Sequence, residues 1–397
     1  MPDLAEPVYF DYNATSPVCP PARQVLASAC EEAWYNPSSP YSQAARVANR
    51  IGHVREWFAD RLKGETPEQV VFTSGATEAN NAVIRYAAGL MQPSQCLLLS
   101  PVEHPSLWDA AHALLPPSQL VHAPLREDGN LDLDGLQTQL REQRIGFCSM
   151  MAANNETGIE YPIGAVAELC RQAGVWFHCD ASQWAGKRDL ELVSGADFLT
   201  LSAHKFLGPK GVGVLKLPNR LEAEFRMSIG GAQENDHRAG TENVPAVLAM
   251  KAALEETEKV LEKTSAEQHA FGRDAFEDML GRHIPDVRIL GKSTQRLWNT
   301  SYVLMPRHDN VRWVAALDKL GYQVSTGSAC ATGKEGPSHV LHAHGIDSMD
   351  MRRVLRFSGG WHTRHSQWQS LADACLQALE QMDRKQNTAS HGRVIEL

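Results

Sequence analysis

The 397-residue sequence lacks the features that several classes of protein require. No apolar run approaches the roughly 18 residues that span a bilayer. The start, MPDLAEPVYF, has no basic segment followed by an apolar one, so we expect no secretory signal. The net charge is −9 and no basic block stands out, which argues against a nucleic-acid surface. These absences predict a cytoplasmic protein that binds neither membranes nor nucleic acids directly.

Closely spaced cysteine pairs are also missing, since none of the eight cysteines forms a C-x-x-C motif. The spacings predict neither a zinc site nor a disulfide framework, and we expect no bound metal. Several cysteines lie in apolar runs such as CLLLS and IGFCSMM, where cysteine behaves as a small hydrophobic residue. Thiols in a reducing cytoplasm fit this pattern best. Cys330 differs, because its segment STGSACATGKEGPSH is rich in glycine and small polar residues.

Short apolar runs alternate with amphipathic stretches from about residue 66 to residue 217. We predict strands in QVVFTSG, QCLLLSP, IGFCSMMAANN, VWFHCDAS, FLTLSAHK and GVGVLKL, with helices between them. This alternation predicts an α/β fold with a mostly parallel sheet covered by helices on both faces. The length predicts two domains. We place a large domain over residues 15–260 and a smaller α+β domain over residues 1–14 and 261–397, ending in a frayed polar tail, QNTASHGRVIEL.

Polar residues follow five of the predicted strands. Ligands of parallel sheets bind outside the carboxyl ends of the strands, so these residues predict one shared crevice. The five groups are Ser74 to Thr77, His104, Asn154 with Asn155, Asp180 to Gln183, and Ser202 to Lys205.

Two of these groups suggest a charged ligand. In TSGATEAN, a turn of small residues opens a helix, where backbone N–H groups and the Thr77 hydroxyl could bind a phosphate, although an ordinary helix cap would look the same. The segment is neither a Walker loop nor a dinucleotide fingerprint. Asp180 ends an apolar strand and needs a cationic partner or several hydrogen bonds, with a helix cap as the alternative. Opposite a pyridine nitrogen, an aspartate keeps the ring protonated.

Together these residue types fit pyridoxal 5′-phosphate (PLP), which carries a phosphate, a ring nitrogen, a phenolic oxygen and an aldehyde. His104 could stack on the ring or shuttle a proton, with a turn residue as the alternative. Gln183 and Asn155 could hydrogen-bond the phenolic oxygen. Lys205 follows its strand directly and is the predicted Schiff-base lysine. Lys210 lies beyond a proline turn in GPKG and is the weaker candidate.

A set of segments also matches a known family in order, from residue 9 to about residue 360. They are YFDYNATSPV, NPSS, VFTSGATEANN, EHPS, NNETG, HCDASQWAGK, LSAHKFLGPKGVG, RAGTENV, STGSACATGKEGPSHVL and LRFSGG. On these segments the chain resembles the NifS/IscS-like cysteine desulfurases of the class V aminotransferase family. The most specific are SAHKFLGPKG and GSAC. The resemblance implies a PLP-dependent transferase of fold type I.

The resemblance implies a role for each matching residue. Lys205 would hold the cofactor, Asp180 would pair with its pyridine nitrogen, and His104 would stack on its ring. Arg356 would bind the substrate carboxylate through its guanidinium, with a structural arginine as the alternative. The other implied contacts are Gln183 and Asn155 at the phenolic oxygen, Ala76, Thr77, Ser202, His204 and a second subunit's Thr241 at the phosphate, and Asn13 with Asn155 at the substrate.

The implied reaction is that of a homodimeric cysteine desulfurase. Lys205, His104 and Cys330 would be catalytic, and L-cysteine would give L-alanine and a persulfide on Cys330 for an acceptor protein. A selenocysteine lyase, another class V PLP lyase and a non-catalytic sulfur-relay scaffold are the alternatives. The sequence departs from the family pattern at Ala232, Asn235 and Asp236 and at Gly359 to His362.

Overall fold

The computed structural model describes residues 7–142, 144–221, 223–327 and 338–391, with side chains up to residue 385. The strands are β1 (Val8–Tyr9), β2 (Val70–Thr73), β3 (Cys96–Leu99), β4 (Leu120–His122), β5 (Ile145–Met151), β6 (Trp176–Asp180), β7 (Phe198–Ser202), β8 (Gly213–Lys216), β9 (Arg288–Ile289), β10 (Thr300–Leu304), β11 (Tyr322–Gln323) and β12 (Val354–Ser358). The helices are α1 (Pro20–Glu32), α2 (Ser42–Arg61), α3 (Ala76–Leu90), α4 (Pro105–Leu114), α5 (Leu133–Glu142), α6 (Ile163–Ala173), α7 (Val244–Lys263), α8 (Ala266–His283), α9 (Asn310–Lys319), α10 (His339–Ala343) and α11 (His365–His391).

The chain divides into two compact units. The large unit comprises Thr15–Asn154 and Glu160–Lys263, and the small unit comprises Met1–Ala14, Asn155–Ile159 and Thr264–Leu397. The segment Asn155–Ile159 therefore groups with the small unit, whereas the sequence analysis kept it in the large domain.

A seven-stranded sheet with the order β2-β8-β7-β6-β5-β3-β4 forms the centre of the large unit. Strands β7, β6, β5, β3 and β4 are parallel, and β8 is antiparallel to both of its neighbours. Strands such as VVFT and FLTLS are buried along their whole length, because helices cover both faces of the sheet. Their core includes Val83, Leu107, Phe147 and Phe198. The predicted α/β fold with a mostly parallel sheet is confirmed.

Local sequence sets the helix ends. Helix α6 stops because Gly174 adopts a left-handed conformation, with φ of 66°. Helix α8 begins with a capping box, in which the side chains of Ser265 and Gln268 each bond the other residue's backbone N–H.

The small unit contains an antiparallel sheet, β12-β10-β9, and the parallel pair β1-β11. Phe10, Phe276, Trp313, Phe357 and Trp368 form its core. The predicted fraying of the tail is wrong between residues 386 and 391, because α11 continues to His391. No glycine or proline interrupts this helix before Gly392. Among the described residues, no helix is long and apolar enough to cross a membrane.

Candidate active site

The central strands of the large unit bring several predicted site residues to one edge of the sheet. Asp180, at the end of β6, pairs in register with Thr200 of β7. Ser202, at the end of β7, lies opposite Gly213 of β8, and Gly213 lies opposite Thr73 of β2. The carboxyl ends of β2, β6 and β7 therefore meet at the same edge, as parallel strands require.

Asp180 is a buried carboxylate, 5% exposed, that receives hydrogen bonds from neutral groups. Its Oδ2 accepts from Asn80 Nδ2 at 2.8 Å, and its Oδ1 accepts from the backbone N–H of Ser182 at 2.9 Å. The second bond closes a turn after β6, and the helix cap considered as the alternative is not what the described chain shows, since no helix begins there. Within the described parts of the chain, no lysine, arginine or histidine forms an ion pair with Asp180. A buried carboxylate with this environment suits a cationic ligand group.

The start of α3 approaches Ser202 closely. Gly75 is the N-cap residue, with φ of 148°, and no side chain caps the helix. Gly75 needs glycine because of its φ, with a Cβ there 3.7 Å from Ser202 Oγ, and Gly213 needs glycine because a Cβ there would lie 2.9 Å from Gly75 Cα. No described acceptor binds the first-turn N–H groups of Ala76 and Thr77. Such a helix start is suited to a phosphate.

His204 and Lys205 lie in a 3-10 turn directly after β7. Lys205 is half-buried, whereas Lys210 is exposed. His204 Nδ1 lies 3.2 Å from Thr15 Oγ1. Burial, and to a lesser extent the charges of Lys205 and Lys210, lower the pKa of His204 to about 4. His204 is therefore a neutral hydrogen-bonding group near neutral pH.

His104 is the N-cap of α4, and it is half-buried. Its Nδ1 accepts from the backbone N–H of Ser106 at 3.1 Å and lies 2.9 Å from Ser106 Oγ. The turn role and a ligand-binding role are compatible, because the cap engages one ring nitrogen and leaves the ring faces to other contacts.

Gln183 and Lys187 form a buried polar pair beside the end of β6. Gln183 is 4% exposed and Lys187 is 1% exposed. Lys187 Nζ donates to Gln183 Oε1 at 2.7 Å, which engages the amide oxygen inside the protein. The amide NH₂ of Gln183 is then the group oriented to donate, which suits a phenolate oxygen.

In the small unit, Arg356 is 4% exposed and its guanidinium already has protein partners. Nη2 donates to Asp11 Oδ1 at 2.7 Å, and Nη1 donates to the carbonyls of Asn155 and Gly327 at 3.0 and 3.3 Å. Its buried Nε–H has no hydrogen-bond acceptor among the described residues. The structural role considered as the alternative is thus present, together with one donor that a ligand could satisfy.

Asn13 and Asn155 differ in how the protein uses them. Asn13 is 1% exposed, and its Nδ2 donates to the Asn155 carbonyl at 3.1 Å and to Thr300 Oγ1 at 2.9 Å. Its Oδ1 accepts from Asn299 Nδ2 at 3.0 Å. The half-buried side-chain amide of Asn155 makes no hydrogen bond to a described residue. Of these two predicted substrate contacts, Asn155 has the more available amide.

Cys330 lies outside the described residues, and its predicted role stays a prediction. The other cysteines are mostly buried, and the exceptions are half-buried Cys96 and exposed Cys30. Burial raises the pKa of Cys179 and Cys375, which makes their thiols poor nucleophiles near neutral pH.

The segment before Thr241 has an unusual backbone. Glu234, Asn235 and Asp236 are all left-handed, with φ of 48°, 53° and 65°. Buried Glu234 holds this turn, because its carboxylate makes a bidentate contact with Arg55 at 2.7 and 2.8 Å. Thr241 itself is exposed.

Sequence reasoning missed three residues that organise these groups, namely Asn80, Ser106 and Asp11. Asn80 stands three positions after Thr77 in α3, so helical periodicity alone places it on the same face as a predicted ligand contact. Nothing in the sequence pattern identifies Ser106 or Asp11 as partners of His104 and Arg356.

Comparisons with known proteins agree with this architecture. The family model described as aminotransferase class-V matches residues 8–371. A cysteine desulfurase from Cereibacter sphaeroides is 36% identical, over 89% of this chain and 90% of its own. A solved NifS-like protein has a TM-score of 0.84 and 27% identity, covering 94% of this chain and 99% of its own. SspA in complex with cysteine has a TM-score of 0.75 and 26% identity, covering 88% of this chain and 98% of its own.

Proposed function

Because the chain belongs to the aminotransferase class V family, we propose that it is a PLP-dependent cysteine desulfurase. It would convert L-cysteine to L-alanine and leave the sulfur as a persulfide on Cys330. The similar chains support this reaction, since one is named a cysteine desulfurase and one binds cysteine. The observation of this chain that carries the proposal is the buried Asp180 carboxylate, whose hydrogen bonds come from neutral donors at the edge of the sheet.

The residues of the large unit fit this cofactor. Asp180 would hold the protonated pyridine nitrogen, which supplies a positive charge that no described side chain provides. The uncapped N–H groups of Ala76 and Thr77, with Ser202 beside Gly75, suit the phosphate. The remaining contacts would be His204 at the phosphate, His104 on the ring and Gln183 at the phenolic oxygen, where the prediction also places Asn155 of the small unit.

Once bound, PLP supplies an electron sink for the negative charge that develops when the substrate loses its α-proton. Lys205 would hold the cofactor in the resting enzyme, release it to the substrate amine, and then move the α-proton. Its half-buried position directly after β7 places its backbone at the end of the strand and limits the exposure of its side chain. Exposed Lys210 has no such constraint.

Arg356 would bind the substrate carboxylate. Its Nε–H lacks an acceptor among the described residues, and a carboxylate would supply one. The Asp11 carboxylate, which accepts from Nη2, keeps the guanidinium plane in a defined orientation. Arginine suits this role because its donors match the two oxygens of a carboxylate.

Cys330 would act on sulfur. Its thiolate attacks the sulfur atom of the bound substrate, an S–S bond forms, and the bond between that sulfur and the β-carbon breaks. The electron pair of the broken bond stays with the carbon, which takes up a proton and becomes the methyl group of L-alanine. The extra sulfur remains on Cys330 as a persulfide, which an acceptor protein would receive.

We also propose that the enzyme is a cytoplasmic homodimer in which Thr241 of one subunit contacts the phosphate bound by the other. The exposure of Thr241 within one chain is compatible with this arrangement. In solution, a monomer that retains full PLP occupancy would contradict the dimeric site.

The test of the function is an assay of alanine release and a map of the persulfide. Wild-type protein with L-cysteine should release L-alanine and carry a persulfide on Cys330. Cys330→Ala should still bind PLP and change colour on cysteine addition, but should form no persulfide and release almost no alanine. Cys330→Ser should also fail, because a serine hydroxyl is scarcely ionised near neutral pH.

The matched control is Cys30→Ser, which removes an exposed thiol and should leave alanine release unchanged. Near-normal alanine release from Cys330→Ala would contradict the proposal and favour a lyase that expels sulfur without this thiol. A colourless wild-type protein that cannot take up PLP would favour the non-catalytic scaffold.

A further inference from the structure

A chain of hydrogen bonds inside the large unit joins Asp180 to His104. Asn80 Nδ2 lies 2.8 Å from Asp180 Oδ2 and 2.9 Å from Ser106 Oγ. Ser106 Oγ in turn lies 2.9 Å from His104 Nδ1. The two groups proposed to contact the cofactor ring are therefore connected through two neutral side chains that were not predicted to have any function.

Elementary donor and acceptor chemistry sets the direction of every bond in this chain. An amide NH₂ can only donate, so Asn80 gives one hydrogen to Asp180 and the other to Ser106. The opposite amide orientation would place Asn80 Oδ1 against the carboxylate of Asp180, which is repulsive. Since Ser106 Oγ accepts from Asn80, its own hydrogen points to His104 Nδ1. That nitrogen also accepts from the Ser106 backbone N–H at 3.1 Å.

The consequence for His104 is a defined tautomer. With two donors directed at Nδ1, the neutral ring carries its proton on Nε2. His104 therefore presents an N–H group, and not a lone pair, at its other nitrogen.

The connecting residues are shielded from water. Asn80 is 0% exposed and Ser106 is 8% exposed. Water cannot readily replace a lost partner at such sites, so each deletion leaves a buried polar group unsatisfied. The neighbouring Asn81 offers a matched control, because it lies in the same helix but, among the described residues, its amide donates to the backbone carbonyls of Thr77 and Ser106 and not to Asp180 or His104.

We infer that Asn80 and Ser106 are positioning residues of the proposed PLP site, where Asn80 orients the Asp180 carboxylate and Ser106 extends that control to the tautomer of His104. The inference rests on the proposed function, because it assigns both residues to the same cofactor. Neither residue needs to touch the cofactor, since each acts through a group that does.

The experiment compares Asn80→Ala, Asn80→Asp, Ser106→Ala and Ser106→Thr with Asn81→Ala and wild type. Three quantities are measured: the PLP dissociation constant by equilibrium dialysis, the pH titration of the visible absorbance of the bound cofactor, and kcat and KM for alanine release. The first two report the binding site without depending on turnover.

Asn80→Ala should weaken PLP binding about tenfold and shift the absorbance titration, because Asp180 loses a buried hydrogen bond to a charged group. Asn80→Asp keeps the shape but places a second carboxylate beside Asp180, and should weaken binding at least as much. Ser106→Ala should change the pH profile of kcat with a smaller effect on PLP affinity, and Ser106→Thr, which keeps the hydroxyl, should restore the profile. Asn81→Ala should match wild type within about twofold.

If Asn80→Ala and Asn81→Ala show the same PLP affinity and the same absorbance titration, the inference is overturned, whereas the proposed function still stands. Should Asn80→Ala fail to fold, the Ser106 pair decides: equal pH profiles for Ser106→Ala and Ser106→Thr would overturn the inference. Wild-type protein that takes up no PLP would overturn the proposed function, and this inference with it.

Discussion

Two buried carboxylates, Glu277 in the small unit and Asp180 in the large unit, lie in opposite electrostatic environments. In the small unit, Glu277 is 1% exposed and makes a bidentate contact with Arg296 at 2.7 and 2.9 Å. In the large unit, Asp180 is almost as buried, yet its hydrogen bonds come from Asn80 and a backbone N–H. Arg296 neutralises Glu277, whereas no described cationic side chain pairs with Asp180, so a cationic ligand group could fill that role.

The contrast depends on position and not on the unit. Glu234 also belongs to the large unit, and Arg55 neutralises it as Arg296 neutralises Glu277. Among these three carboxylates, Asp180 differs by lying at the carboxyl end of a central strand, where ligands of such sheets bind.

The largest expected effect is that of Asp180→Asn on activity. We expect kcat/KM for alanine release to fall about 10²–10³-fold, because the ring nitrogen loses its charged partner. The PLP-free variant should lose less than about 3 kcal/mol in its free energy of unfolding, because loss of one hydrogen bond to the carboxylate is partly offset by removal of a buried charge. Alanine release and urea unfolding without PLP measure the two quantities. A large loss of stability in Asp180→Asn with little loss of activity would contradict the proposed difference between Asp180 and Glu277.

Glu277→Gln should show the reverse pattern. It leaves Arg296 buried without its counter-charge, so we expect a loss of about 3–5 kcal/mol in the free energy of unfolding. Asp278→Asn is the control, because both Asp278 and its partner Lys292 are more than half exposed, so this change should cost less than about 1 kcal/mol. Urea denaturation of both variants tests this. Equal losses of stability in the two variants would show that burial of an ion pair does not determine its contribution to the free energy of unfolding.

Another buried titratable group, His178, lies two residues before Asp180 on β6 and is held neutral. Its ring nitrogens contact Ser149 Oγ and Thr200 Oγ1 at 2.9 and 3.0 Å, and burial lowers its pKa to about 4. Because this folded-state pKa lies below the unfolded value of about 6.5, the unfolded chain binds more protons between these values. Stability should therefore fall as the pH drops, by about 2 kcal/mol between pH 7 and pH 5 from this residue.

Urea unfolding of His178→Gln across the same pH range should give a flatter dependence than wild type. The control is His53→Gln, which changes an exposed histidine and should leave the slope unaltered. An unchanged slope in His178→Gln would assign the acid sensitivity to other groups.

The smallest expected effect concerns the left-handed turn of residues 234–236. Asp236 is left-handed, with φ of 65°, and it is one of the positions at which the sequence departs from the family pattern. Asp236→Gly should raise the free energy of unfolding by about 0.5 kcal/mol, because relief of the left-handed strain exceeds the entropy that glycine adds to the unfolded chain. Ala232→Gly is the control, since Ala232 has an ordinary φ of −93° and should lose stability. Thermal unfolding that ranks the two variants the other way would contradict this account of the turn.

The sequence predicted the sheet of the large unit well, because its strands are continuous apolar runs bounded by turn residues. It also predicted that Asp180, Ser202 and Lys205 follow their strands, since parallel topology alone brings strand ends to one edge. The partners of these residues were not predictable. Asn80 reaches Asp180 across 100 positions, and no local pattern encodes such a contact.

The departures around residues 232–236 were visible in the sequence, but their meaning was not. Three successive left-handed residues that are not glycine carry an energetic cost. The buried ion pair between Glu234 and Arg55 offsets this cost. The helical tail was missed for a different reason. The polarity of QNTASH indicates solvent exposure, which is equally compatible with a helix that continues from an amphipathic stretch.

The most direct test of the central claim is to reduce the PLP-loaded protein with borohydride and map the modified peptide. The account predicts a pyridoxyl group on Lys205, the half-buried lysine that directly follows β7. The same treatment of Asp180→Asn should label the same lysine, because Asp180 acts on the ring nitrogen and not on the aldehyde. A pyridoxyl group on exposed Lys210, or on no lysine, would contradict the assignment of the active site.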